Sequence, residues 1–146
     1  MASTRPADST PVAVLGAGSW GTALAIQFAR AGRHTHLWGR DERQLAAMQQ
    51  QRRNARYLPD AAFPDTLDVA PTLAAALQGV DDVLVAVPSH AFREMLALLA
   101  PQLTPRSRIC WATKGFELNT GLLPHQVAHA VLGPGRQIAV LSGPTF

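Results

Sequence analysis

Lysine is nearly absent from this chain of 146 residues: Lys114 is the only one, so its basic side is almost all arginine. The formal net charge is +3, a small excess that suits an anionic ligand without demonstrating one. No lysine and arginine cluster is dense enough to read as a nucleic-acid patch. Arg52, Arg53 and Arg56 come nearest, and they are assigned to a solvated helix face. Cysteine is equally scarce. Cys110 has no partner for an internal disulfide, which fits a reducing compartment. It lies in an apolar run and is expected to be a buried, inert thiol. No hydrophobic run reaches the roughly 18 residues of a membrane span. Residues 1–11 are small and polar and lack the apolar core of a signal peptide. They are expected to form a disordered tail on a cytoplasmic protein. Internal repeats, low-complexity stretches and a G-x-S-x-G serine elbow are also missing.

What is present is a core-forming composition, 47 % hydrophobic, arranged in alternation. Val12 to Leu15 predicts a buried strand bounded by Gly16. Residues 19–31 predict a helix, with Ala23, Leu24, Phe28 and Ala31 at helical spacing and Gly32 as its stop. A second strand follows over residues 35–38. Asp41 is placed to cap the next helix, which runs to about Arg53. Residues 54–71 carry Pro59, Pro64 and Pro71 and read as a surface connection. Beyond them come a short helix over 72–78, a strand over 82–87 and a helix over 89–103. A strand over 108–113, a helix from Thr120 or Gly121 to Leu132 and a strand over 138–141 complete the series. The strands are short, continuous apolar runs, as in sheets covered on both faces. The fold class is therefore α/β: a doubly wound parallel sheet of the Rossmann type in one domain over residues 12–146.

The sharpest motif is Gly16-Ala17-Gly18-Ser19-Trp20-Gly21, a G-x-G-x-x-G between a predicted strand and a predicted helix. Gly16 takes the tight turn, Gly18 admits a pyrophosphate against the backbone, and Gly21 lets helix and sheet pack closely. The helix N-terminus adds unpaired N–H groups and a partial positive charge. Dinucleotide binding follows; the competing reading is a plain strand-to-helix turn. Selectivity between nicotinamide cofactors is read near the end of the second strand, in Leu37-Trp38-Gly39-Arg40-Asp41. An acidic residue there would bind the ribose hydroxyls of NAD. Arg40 can instead pair with a 2′-phosphate, so NADP(H) is favoured over NAD(H). Asp41 either caps the helix or turns inward, where it would suit NAD.

The segment from Val14 to Ala25 resembles the opening motif of bacterial NAD(P)-dependent glycerol-3-phosphate dehydrogenases. Further segments agree in order: Asn54-Ala55-Arg56-Tyr57-Leu58-Pro59, Val85-Ala86-Val87-Pro88-Ser89-His90, Ala112-Thr113-Lys114-Gly115 and Leu141-Ser142-Gly143-Pro144-Thr145-Phe146. The resemblance implies hydride transfer between NAD(P)H and dihydroxyacetone phosphate, giving sn-glycerol 3-phosphate for glycerophospholipid synthesis. It implies that Gly16, Gly18, Ser19, Trp20, Gly21, Arg40, Tyr57 and Lys114 touch the cofactor. Lys114, Gly143 and Thr145 would touch substrate. The family's remaining cofactor-domain segment, its helical substrate domain and its general acid/base lysine would lie beyond Phe146. The resemblance thus implies a sheet incomplete at its C-terminal end, no catalytic residue within the chain, and a fragment that binds nucleotide but is nearly inactive. A homodimeric parent is implied as well. Lys114 also has a physical argument, because it follows an apolar strand and should project at the carboxyl end of the sheet.

Other residues are weaker candidates. His125 and His129 are four apart on a predicted helix, but no third ligand is near in sequence, so no metal is assigned. His90 is read as a polar residue opening a helix. Trp20 either packs over the cofactor or anchors its loop, while Trp38 and Trp111 are expected in the core. Two other functions stay open: a different hydroxyacid or sugar-acid dehydrogenase, and a non-catalytic module that senses nucleotide.

Overall fold

The computed structural model describes residues 10–142. Most of the expected N-terminal tail, residues 1–9, lies outside this range, as do Gly143 and Thr145. The elements run β1 (Val12–Leu15), α1 (Ser19–Arg30), β2 (Thr35–Trp38), α2 (Glu42–Gln51), β3 (Arg53–Asn54), β4 (Leu58–Ala62) and β5 (Leu67–Val69). They continue with α3 (Leu73–Leu77), β6 (Asp82–Val85), α4 (Ser89–Leu99), β7 (Arg108–Trp111), α5 (Pro124–Leu132) and β8 (Gln137–Val140).

Six strands form one sheet in the order β5-β2-β1-β6-β7-β8, and every pairing is parallel. The chain winds outward from β1 through β2 to β5, then returns to the other side of β1 for β6. This reversal between β1 and β6 is where doubly wound sheets open a crevice at the carboxyl ends of their strands. Alternation along the strands sorts the core into two layers. Ala13, Leu15, Val83, Val85, Ile109 and Trp111 pack against α4 and α5. Val14, Leu37 and Leu84 pack against α1 and α2 through Ala25, Ile26, Ala29, Leu45 and Met48. Trp111 is buried and meets Phe92 edge to face at 5.5 Å; Trp38 is half-buried between the layers.

The structure corrects the sequence reading at three places. Residues 54–71 are more than a surface connection. They hold the β3–β4 hairpin and the edge strand β5, with Phe63, Leu67 and Val69 buried. β5 has only three residues between prolines, too short to reveal a strand period. Arg52 is not on a solvated helix face. It ends α2 in the left-handed conformation, and its guanidinium donates to the carbonyls of Pro64 and Leu67 at 2.9 and 2.8 Å. Finally, α5 starts at Pro124 rather than Thr120 or Gly121. Residues 117–122 close on themselves instead, with the Leu122 carbonyl accepting from the Glu117 N–H and Gly121 at a φ of +72°.

Asp82 joins the amino end of β6 to its neighbours. It accepts from Arg33 at 2.7 Å and from Arg108 at 2.6 and 2.8 Å. Burial acts to raise its pKa, but the two guanidinium groups outweigh burial and hold the carboxyl below its ordinary value. A depressed folded pKa adds stability above the unfolded value, about 3.9, that is lost as pH falls through the folded one. Asp82→Asn should therefore cost about 1–3 kcal/mol at neutral pH and flatten part of the acid limb of stability. Urea unfolding followed from pH 7 to pH 2 checks both.

Candidate functional site

Leu15, Trp38, Val85 and Trp111 stand in one register row across the sheet. The residues that follow them are Gly16, Gly39, Ala86 and Ala112, so the carboxyl edge between β2 and β7 is paved with minimal side chains. Packing explains two of these. A Cβ on Gly16, where φ is +122°, would lie 2.3 Å from the Ala86 carbonyl oxygen, and one on Gly39 would lie 2.9 Å from the Ala17 Cβ. Gly21 is tighter still: its Cβ would fall 1.9 Å from the Gly16 carbonyl oxygen. The motif's first and third glycines thus hold β1, β6 and α1 backbone to backbone.

Gly18 differs. A Cβ there would meet no protein atom within 4 Å, and its φ of −81° suits any residue. Neither packing nor backbone strain requires glycine at this position. It is the N-cap of α1, with no side chain bonded to the first-turn N–H groups. A bare cradle facing helix N–H groups fits a pyrophosphate, because phosphate oxygens can approach where a methyl group would stand.

Two hollows meet at this cradle. One, of about 330 Å³, is lined by Gly39, Arg40, Gln44, Tyr57 and Met95 among others. The other, of about 620 Å³, is lined by Ser19, Trp20, Gly21, Ser89, Thr113 and Lys114. Gly18, Ala86, Val87 and Pro88 belong to both, so the hollows form one cleft across the switch point. A further apolar hollow, of about 340 Å³, includes Phe28, Leu84, Cys110 and Ala139. It lies on the sheet face over β6 to β8, away from the glycine loop. Cys110 is half-buried there, and burial pushes its thiol pKa up, as in an unreactive cysteine.

The structure gathers Gly16, Gly18, Ser19, Trp20, Gly21, Arg40, Tyr57 and Lys114 around this cleft. Trp20 is 49 % exposed, so it stands at the lip and does not anchor the loop in the core. Tyr57 is exposed at the other hollow, with the Arg56 guanidinium 5.1 Å from its ring centre. Lys114 is exposed, makes no ion pair among the described residues and also borders a hollow beside His125 and Ser142. Asp41 caps α2 through one carboxylate oxygen, Oδ1, which accepts from the Arg43 and Gln44 N–H groups at 3.0 and 3.2 Å, and it also lines the smaller hollow. His90 is exposed in the first turn of α4. His34, His36 and Asp68 come together at the β2–β5 edge, a grouping not anticipated from sequence. Each already has a protein partner: His34 pairs with Asp68 at 2.6 Å, and His36 Nδ1 donates to the Ala76 carbonyl at 2.8 Å.

Asn54 was missed as an individual residue. It is fully buried, and its amide nitrogen donates to the Ala17 carbonyl at 3.0 Å and the Thr22 hydroxyl at 2.8 Å. Its amide oxygen accepts from the Tyr57 N–H at 3.3 Å. Gln44 reinforces it with a 2.9 Å bond to the same Ala17 carbonyl. This network ties the glycine loop to α1 and to Tyr57. Across the cleft, α4 is held on two sides. Arg93 makes a bidentate pair with Glu117 at 2.9 and 3.0 Å, and Glu94 pairs with Arg40 at 3.0 Å. Hydrogen bonds from Arg93 and Thr120 lower the Glu117 pKa, and the bond from Arg40 lowers that of Glu94.

The profile of a family described as the NAD-dependent glycerol-3-phosphate dehydrogenase N-terminus matches residues 11–146. The chain is 57 % identical over 136 residues to the glycerol-3-phosphate dehydrogenase [NAD(P)+] of Methylococcus capsulatus, covering 92 % of this chain and 41 % of that protein. It is 52 % identical over 139 residues to that of Haemophilus influenzae, covering 95 % and 42 %. A crystal structure of glycerol-3-phosphate dehydrogenase from Coxiella burnetii superposes with a TM-score of 0.87 at 42 % identity, covering 94 % of this chain and 42 % of that one. The chain thus spans about two-fifths of the length of the curated relatives it matches.

Substitutions in the loop should separate packing from binding. Gly21→Ala should destabilise the fold by about 3 kcal/mol or more, as overpacking against backbone does. Gly18→Ala should cost under about 1 kcal/mol yet weaken dinucleotide binding at least about tenfold. Asn54→Ala should cost about 1–3 kcal/mol through stranded buried polar groups. Denaturant unfolding beside NADPH titration reads all three.

Proposed function

The chain belongs to the NAD-dependent glycerol-3-phosphate dehydrogenase family, and we propose that it forms the cofactor-binding domain of such an enzyme. In this reading the whole enzyme interconverts dihydroxyacetone phosphate and sn-glycerol 3-phosphate for glycerophospholipid synthesis. The observation that carries the reading is the Gly18 cradle, the one motif glycine whose missing side chain serves no protein contact. Gly18 and the first turn of α1 would hold the pyrophosphate, with backbone N–H groups and the helix dipole balancing its charge. Arg40 and Tyr57 would hold the adenosine half, and Trp20 and Lys114 the nicotinamide half. The bound nicotinamide supplies or accepts the hydride.

The chain's own groups bind, orient and compensate charge. Lys114 presents an ammonium at the meeting point of two hollows, suited to a substrate phosphate or a developing alkoxide. Gly143 and Thr145 complete the substrate contacts in this proposal. Hydride transfer at a carbonyl also needs a group to handle the hydroxyl proton. That group is assigned to the remainder of the dehydrogenase, so these residues alone bind nucleotide with little turnover. The resemblance also supports a homodimeric, cytoplasmic parent. No helix among the described residues is long and apolar enough to cross a membrane.

Arg40 supports a preference for NADP(H), since its guanidinium lines the smaller hollow and can pair with a 2′-phosphate, while Asp41 gives one oxygen to the α2 cap. Calorimetric titration should give tighter binding of NADPH than of NADH, with Arg40→Ala weakening NADPH about tenfold and NADH much less. Tighter NADH binding by the unsubstituted chain would overturn the preference. In the full-length enzyme, Lys114→Ala should lower kcat/KM for dihydroxyacetone phosphate by about a hundredfold or more.

A further inference from the structure

The ion pair between Arg40 and Glu94 has no evident task in folding. Its side chains are 47 % and 66 % exposed, and exposed pairs add little stability. α4 is already anchored by Phe92, Met95, Leu96 and Leu99 on its buried face and by the Arg93 pair with Glu117. The pair does sit at the rim of the smaller hollow. Arg40 lines that hollow from the β2 side, and Ala91 and Met95, which flank Glu94 on α4, line it from the other. An acidic group therefore stands beside the ribose end of the cleft, contributed by a helix remote in sequence from β2.

We propose that Glu94 is a specificity-determining residue of the nucleotide site, a carboxylate that occupies the Arg40 guanidinium and discriminates against a ribose bearing a 2′-phosphate. This rests on the reading that Arg40 faces the adenosine ribose. A 2′-phosphate carries about −1.5 to −2 charges at neutral pH and seeks the same guanidinium donors. To reach them it must displace Glu94, whose carboxylate then stands close to a second anion. A ribose with plain hydroxyls meets no such conflict, because hydroxyls donate to a carboxylate and leave the ion pair intact. Asp41 gives one carboxylate oxygen to the α2 cap and makes no ion pair with Arg40 among the described residues, so Glu94 is the acidic partner of that guanidinium. Arg40 and Glu94 thus act in opposite senses on one choice. Together they narrow the difference between the two cofactors that arginine alone would create.

The test is a double-substitution cycle in this chain, titrating NADPH and NADH at about 0.05 M ionic strength, where surface charges are least screened. Glu94→Gln should tighten NADPH, leave NADH unchanged or weaker, and raise the preference for NADPH about three- to tenfold. Its melting temperature should move by less than about 3 °C. In an Arg40→Ala background the same substitution should not change the preference. An unaltered preference in Glu94→Gln, while Arg40→Ala still weakens NADPH, overturns the role of Glu94 and leaves that of Arg40 standing. An Arg40→Ala chain that binds NADPH undiminished overturns both.

Discussion

The contact between the Gly16 carbonyl oxygen and the backbone of Gly21 is the constraint on which the site's geometry hangs. An oxygen stands 1.9 Å from where a Cβ on residue 21 would be, so α1 can lie on β1 only with glycine at that turn. Gly16 is pressed in the same way against Ala86 at the end of β6. Two strands and a helix therefore meet without intervening side chains at the topological switch point. The first-turn N–H groups of α1 consequently face the crevice rather than open solvent. A larger residue at either position would swing the helix away and disperse those groups. The row Gly16, Gly39, Ala86 and Ala112 extends the same economy of volume along the carboxyl edge.

What surrounds this junction is held by polar ties between elements distant in sequence. Asn54 reaches from β3 to the glycine loop and α1 while also receiving the Tyr57 N–H. α4 grips the cleft on both sides through adjacent residues, Arg93 toward the loop after Lys114 and Glu94 toward the end of β2. The two grips differ in character. The bidentate Arg93–Glu117 pair is joined by the Thr120 hydroxyl and closes a turn that precedes α5. The Arg40–Glu94 pair stands in solvent at the mouth of the cleft, where a ligand can reach it.

Much of this was legible in the sequence because its signals were local. The apolar runs at β1, β6 and β7 and the G-x-G-x-x-G between β1 and α1 each carry their meaning in a few consecutive residues. Thr72 and Asp41 cap helices as their side-chain chemistry suggests. β5 escaped because it is a short edge strand whose position depends on pairing with β2, and its flanking prolines mimic a loop. The start of α5 escaped because Thr120 and Gly121 are residues common at helix N-caps, while the helix itself opens at Pro124. The candidate residues inside the motifs could be named individually. Asn54 could not, although it opens a segment that the resemblance had already marked, because nothing local distinguishes a buried buttress from a loop asparagine. The Glu94 partnership was out of reach for a similar reason: it joins two segments that only the sheet order brings together.

Among the described residues, burial falls from the middle of the sheet toward its β8 edge. β1, the innermost strand at the switch point, is buried throughout, and β2 alternates between fully and partly buried residues. β8 has no fully buried residue, and its Val140 is 62 % exposed. Hydrogen-bonded segments with little buried surface open at far smaller free energies than the core. Opening of β8 would leave β1, β6 and the glycine loop intact but unpin Leu141, whose N–H is bonded to the Trp111 carbonyl at the far wall of the Lys114 hollow. The wall nearest β1 is thus rigid before anything binds. Among the described residues, the wall beside β8 rests on the least buried strand of the sheet.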